Sequence, residues 1–208
     1  MALAALGGLA LVLLRRRKKA LPEPRFTPPK LPETTPPLAT PPVAAVAPVL
    51  VLQLDAVRMN ASLINATLSY RMLLTAGADL GPVNVRADMI AAHASRPAEE
   101  QLGASDAPVL HRLTGLAAGE TAVLEGDVRL PMSAITPIRH GGAALFVPLL
   151  RIAVEAAGTA PPLRLRSAFV IGLDEGAAGG RLQPFRLDQG PRSYGQVSHR
   201  ELTVPQFA

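Results

Sequence analysis

From residue 49 to residue 172 the chain alternates between apolar and polar positions. Leu68, Tyr70, Met72 and Leu74 are interleaved with Ser69, Arg71, Leu73 and Thr75, and Val83, Val85, Ala87 and Met89 with Asn84, Arg86 and Asp88. Ala122, Leu124, Val128 and Leu130 run out of phase with Val123, Glu125, Asp127 and Arg129. Leu163, Leu165, Ser167, Phe169 and Ile171 do the same with Arg164, Arg166, Ala168 and Val170. Successive side chains of a strand point to opposite faces, so a period of two gives each segment one apolar and one mixed face, as a half-buried antiparallel strand requires. The stretches "TAGADLGP" (75–82), "GLAAGET" (115–121) and "AAGTAPP" (156–162) punctuate these runs, Gly supplying positive φ and Pro ending the pairing. Seven strands are predicted, at about 49–58, 65–76, 82–91, 108–114, 120–130, 144–155 and 163–172, and seven short strands point to an all-β, antiparallel two-sheet sandwich.

The polar stretch "ASRPAEEQLGASDAP" (94–108), with a helical turn at 97–102, reads as a crossover between the sheets. After Leu173 the chain still holds Phe185, Tyr194 and Phe207, three of its seven aromatic residues. A free tail would leave those rings in water, so residues up to 208 are expected to pack back over the sandwich.

The first 48 residues follow other rules. Fourteen uncharged residues, "MALAALGGLALVLL", precede Arg15, Arg16, Arg17, Lys18 and Lys19. A secretory signal carries its charge before the apolar run and a small-residue cleavage site after it, and here the order is reversed. The segment has no polar face, which argues against a surface helix of a globular core. Residues 1–19 therefore read as a membrane anchor with a basic stop cluster. Its fourteen apolar residues span about 21 Å against a hydrocarbon layer of about 30 Å. Snorkelling arginines and local thinning shorten the difference, and a start further upstream would remove it. Basic residues beside a span stay on the cytoplasmic side, which places the remainder of the chain in the cytoplasm at a bacterial inner membrane; the periplasm is the alternative. Residues 20–48 hold ten prolines in 29 positions, which blocks helix and sheet alike and predicts an extended, disordered linker.

Charge sharpens this division. The +5 net charge comes entirely from residues 1–48, because the 14 later arginines are matched by 14 acidic residues. A neutral domain lacks the electrostatic footprint of a nucleic-acid binder, and the scarcity of aromatics removes stacking platforms for bases. With no cysteine, the fold has neither a disulfide staple nor a thiolate for metal or substrate. Abundant Ala, Pro and Gly, with Arg in place of Lys after Lys30, suggest a GC-rich bacterial coding bias.

The "LxxGE" of Leu116 to Glu120, following "LGPVNV", resembles bacterial Ig-like modules of the cell-adhesion-related type. Together with "IAAHAS" (90–95), "LPMSAITPIRHGGAALFVPL" (130–149), "AFVIG" (168–172) and "LQPFRLDQGPRSY" (182–194), nearly the whole chain resembles an uncharacterised alphaproteobacterial single-pass membrane protein family. That resemblance implies a short span, an Arg-rich stop, a Pro/Ala linker and an Ig-like β-sandwich, and it carries no activity or catalytic residues. The apolar segment here is shorter than the spans of that family.

Candidate chemistry is sparse. The four histidines, His93, His111, His140 and His199, lack the spacing that sets two imidazoles on one metal, so no metal and no cofactor is expected. His140, in the glycine-containing bend "RHGG", is the best placed to enter a cleft and is the residue around which a hydrolase-type site would be built. There is no nucleophile elbow, and "GAAGG" (176–180) lacks the Lys-Ser/Thr and helix of a phosphate loop. The carboxylate pairs Glu99–Glu100 and Asp174–Glu175 fall in predicted loops and read as solvated, while Asn60, in a glycosylation-like triplet, reads as a turn residue. No small-molecule substrate is evident. The apolar run "LFVPLL" (145–150) reads as a buried strand, but Pro148 suggests an edge or bulge. Leu145, Phe146, Val147 and Pro148 are accordingly the candidate contact for a protein partner. The functional expectation is a membrane-anchored, non-enzymatic interaction or structural module, with the bilayer and a protein as its partners.

Overall fold

The computed structural model describes residues 49–203, except 94, 103–105, 175 and 177–179, and the side chains of 98 and 99. The anchor, the Arg15–Lys19 cluster, the proline-rich linker and Phe207 lie outside the described residues. What is described is an all-β, sandwich-like domain with two principal antiparallel sheets and a small third one.

The first sheet is built from β1 (Leu50–Ala61), β2 (Asn65–Ala76), β5 (Thr121–Pro131) and β11 (Arg192–Tyr194), in the order β11-β1-β2-β5. The second contains β3 (Val83–Ala91), β4 (Val109–Leu113), β8 (Pro148–Ala156), β9 (Leu163–Leu173) and β12 (Val197–Leu202), in the order β12-β9-β8-β3-β4. The third joins β10 (Phe185–Arg186), β7 (Ala143–Phe146) and β6 (Ile138–His140), in the order β10-β7-β6. One short helix, α1 (Ala98–Leu102), and a single 3-10 turn at Met132–Ala134 complete the described elements.

Alternation decides which face goes inside. Leu68, Met72 and Leu74 from β2, Val83 and Val85 from β3, Ile152 and Val154 from β8, and Ile171 from β9 are at most 1% exposed and share one core. Each such aliphatic side chain removed from water contributes about 1.5–3 kcal/mol. In β1 the phase slips. The register shifts between Ala56 and Arg58, so Leu50, Leu54 and Ala56 are buried before the shift and Met59 and Ala61 after it. Val57 is the displaced residue and stands out at 46% exposure. A bulge of one residue does this, since each added position flips the following side chains to the other face.

The β1–β2 hairpin is closed by Ser62, not by Asn60. The Ser62 Oγ accepts from the amides of Ile64 (3.2 Å) and Asn65 (2.9 Å), a serine-based turn. Asn60 is a strand residue, paired with Thr67 and Ser193.

Three expectations need correction. The 94–108 stretch is no crossover between sheets: it returns the chain from β3 to β4, which are neighbours in the same sheet. The predicted strand at 144–155 is two strands in different sheets, β7 and β8, parting at Val147. Pro148 is not at a sheet edge, because β8 is paired on both sides; it is the first residue of its strand, where a missing N–H is tolerated. Four further strands, β6, β10, β11 and β12, fell outside the seven anticipated.

The described part of the segment after Leu173 contributes β10, β11 and β12 to the three sheets. Phe185 is 1% exposed, its ring 6.3 Å from that of Phe146 and 5.0 Å from that of Tyr194. The Tyr194 hydroxyl donates to the Arg186 carbonyl (2.9 Å). Replacing Phe185 with Ala should lower unfolding stability by about 3–5 kcal/mol in a denaturant titration. Amide exchange should then accelerate first in β10 and β11, ahead of β2 and β5.

Candidate functional site

The outer face of the second sheet changes character along β8. Leu149, Arg151, Ala153 and Glu155 point outward in turn, opposite the inward Leu150, Ile152, Val154 and Ala156. Around Leu149 lies an apolar groove of about 420 Å³. Val147 and Leu149 form part of its lining, with Ala92 beyond β3, Leu102 of α1, Ile138 of β6 and Leu202 of β12. The walls thus come from five separate segments of the chain. The backbone makes this possible at Val147, whose carbonyl accepts the Ala92 amide (2.8 Å) where the chain passes from β7 to β8.

The rim is organised by Gln101. Its side-chain amide donates to the carbonyls of His93 (3.0 Å) and Arg96 (2.7 Å), and its oxygen accepts the His93 amide (2.8 Å). The loop after β3 is thereby tied to α1. Arg151 in turn ties α1 to the sheet. Its Nε donates to Asp88 Oδ1 (2.7 Å), its Nη2 pairs with Asp88 Oδ2, and its Nη1 donates to the Glu100 carbonyl (3.2 Å). A two-point guanidinium–carboxylate contact fixes orientation as well as position. These two charges beside the groove therefore neutralise each other.

Of the four residues read as a partner contact, the structure brings only Val147 to the groove. Phe146 is 2% exposed and packs on Phe185, and Pro148 is buried, so these two present no surface. Leu145 faces a different cleft, of about 470 Å³, that also holds His140, Arg186, Arg192 and Tyr194. There His140 is exposed, and its side chain makes no hydrogen bond or ion pair among the described residues. Asp188 is engaged elsewhere: the Arg186 guanidinium foremost, then the Ala144 amide (3.0 Å), hold its carboxyl well below the usual range. No group of three or more His, Asp or Glu residues among the described ones is arranged to hold a metal ion. No described helix is long and apolar enough to cross a membrane.

The polar pair that sequence reading missed lies inside the sandwich. Tyr70 of β2 and His111 of β4 share a hydrogen bond of 2.7 Å between Oη and Nε2, joining the two sheets. Tyr70 is 3% exposed, and its ring lies over Gly126, its register partner in β5. A Cβ at that position would sit 2.8 Å from the Tyr70 hydroxyl, so glycine leaves the ring its room. The one available signal was a glycine interrupting the apolar phase of β5 between Leu124 and Val128.

No known protein family and no curated protein matches the chain. Among solved structures, a beta-glucuronidase from Bacteroides uniformis is similar over 60% of this chain and 14% of that one, at 16% identity and a TM-score of 0.29. The chain thus spans a small part of that enzyme's length.

Burial sets the pH behaviour of the Tyr70–His111 pair. Desolvation, with the Asp127 carboxylate adding to it, pushes the Tyr70 phenol up to about 12, and desolvation lowers the His111 imidazole below its ordinary 6.5. A raised tyrosine contributes stability that is complete below pH 10 and lost as pH climbs towards 12. A lowered histidine contributes stability that is complete above pH 6.5 and lost as pH falls through its folded value. Unfolding midpoints should therefore show a plateau between these limits. Tyr70→Phe should flatten the alkaline limb and His111→Phe the acid limb, read by urea titration at each pH.

Proposed function

We propose that this chain is a membrane-anchored, non-enzymatic interaction module of a bacterial envelope, its folded part an Ig-like β-sandwich. The apolar groove beside Val147 carries the reading. Its lining is largely aliphatic, the Arg151 and Asp88 charges beside it are paired with each other, and Ile138 stands at its edge 43% exposed. Such a surface suits an apolar segment of a protein partner better than a polar substrate. The leader and the proline-rich linker support the rest: a greasy anchor with a basic stop cluster, then a stiff spacer that would hold the domain away from the bilayer. On this reading the domain faces the cytoplasm.

A photo-crosslinking residue at Ile138 in intact cells should yield a discrete adduct. The same residue at Val57, equally exposed on the other sheet, should not. Val147→Asp should abolish the Ile138 adduct while leaving the unfolding free energy within about 1 kcal/mol of the parent, because Val147 is only half-buried. Identical adducts from both positions would refute the groove as the contact. A fluorescent-protein fusion at residue 208 should be bright and a phosphatase fusion inactive; the opposite pattern would move the domain to the periplasm.

A further inference from the structure

Two residues further along β8 from Arg151, the outer face holds a second cleft, of about 250 Å³, around Ala153. Its charged walls are Arg86 of β3, Arg164 and Arg166 of β9, and Glu155 of β8. The sheet register sets this arrangement. Arg86 and Arg166 are the two cross-strand partners of Ala153, so a methyl lies between two guanidinium stems. Arg164 lies two residues before Arg166, on the same face. Neighbouring strands are about 4.8 Å apart, which brings three like charges into a space of roughly 10 Å by 7 Å.

Like charges this close repel, and sheets ordinarily offset them with acidic partners. Here the offset is incomplete. Glu155 is directly across from Arg164, yet they form no ion pair within 4 Å, and Arg86 and Arg166 form none with any described residue. Arg86 is nevertheless held in place: its Nη1 donates to the Ala107 carbonyl (3.1 Å), and Ala107, 1% exposed, packs against Ala153. One guanidinium is thus positioned in advance, and two more face the same hollow with no side-chain hydrogen bond among the described residues. The local balance is three positive charges against one negative, inside a domain that is neutral from residue 49 onward.

We propose that this cleft binds an oxyanion of the phosphate type, either a free phosphate or the phosphomonoester headgroup of an anionic lipid. Guanidinium forks match the tetrahedral oxygens of phosphate and donate to two of them at once. The alanine leaves the space that such an anion fills, and Glu155 sets an upper limit on affinity by repelling it.

The test uses the full-length chain in phosphatidylcholine nanodiscs. Arginines are modified by a dicarbonyl reagent and quantified site by site by mass spectrometry. Inorganic phosphate, compared with chloride at equal ionic strength, should slow modification of Arg164 and Arg166 several-fold and leave the exposed Arg58 and Arg129 unchanged. A second arm omits free phosphate and places phosphatidic acid in the disc; protection there assigns the anion to the lipid, and protection in the first arm alone assigns it to a soluble phosphate. Arg166→Gln should remove the protection at Arg164, and Glu155→Gln should strengthen apparent phosphate binding about fourfold. Protection that is absent in both arms, or spread evenly over all arginines, would overturn the proposal.

Discussion

Two apolar sheet faces pressed against each other hold this domain, and without cysteine no covalent tie backs them up. The core is mostly aliphatic, with Leu, Val, Ile, Met and Ala doing what aromatic rings do in many sandwiches. Such a core is set by volume and alternation, and swaps of similar volume repack it with small losses. A single inward polar contact is more exacting. Tyr70 and His111 must meet at hydrogen-bonding distance across the sheets, and they fix how the β5 edge of one sheet sits against the β4 edge of the other. That contact in turn needs Gly126, so a residue with no side chain is part of the link between layers.

The same outward face of the second sheet supports two kinds of surface because β8 changes character every second residue. Leu149 belongs to the apolar groove, Arg151 to the closed ion pair with Asp88, and Ala153 to the arginine-walled hollow. These positions step by about 7 Å. The closed pair stands between an oily surface and a positively charged one. It also holds α1 against the sheet, so one contact separates the two surfaces and shapes the rim of the first.

Much of the all-β architecture was legible in the sequence, and the reasons are specific. β2 and β3 keep an uninterrupted period of two, β5 breaks it only at Gly126, and β9 keeps it up to Ser167 before both its faces become dry, so burial wrote the pattern directly into residue order. β1 was found but its alternation was not, since the bulge at Val57 inverts the phase midway. The strands β6, β10 and β11 have two or three residues, too few for any period to show. β12 carries Ser198, His199, Arg200 and Glu201, polar residues with no apolar phase to read, and it joins β9 through the backbone ladder and the His199 ring set edge-on against Phe169. The run 145–150 was continuous in hydrophobicity because β7 and β8 both bury side chains, and Pro148, which opens β8, is the one mark in the sequence near the change of sheet at Val147. The groove was less legible still. Its walls are drawn from positions between 92 and 202, a grouping that exists only after folding, and of the four residues proposed for contact only Val147 lines it. The Tyr70–His111 pair was hidden for the same reason.

The pairing of β12 with β9 has a consequence for how the domain is made. β9 is central in the finished sheet, between β8 and β12, but 23 residues separate Leu173 from Val197. At ribosomal speeds that gap is roughly one to five seconds of synthesis. During this interval β9 is an open border with unpaired amides and carbonyls along Ala168–Leu173, the condition under which nascent sheets recruit the wrong neighbour. The alternating arginines 164 and 166 sit at the other end of β9, so the stretch left bare during translation is the one without charge to fend off a second nascent chain.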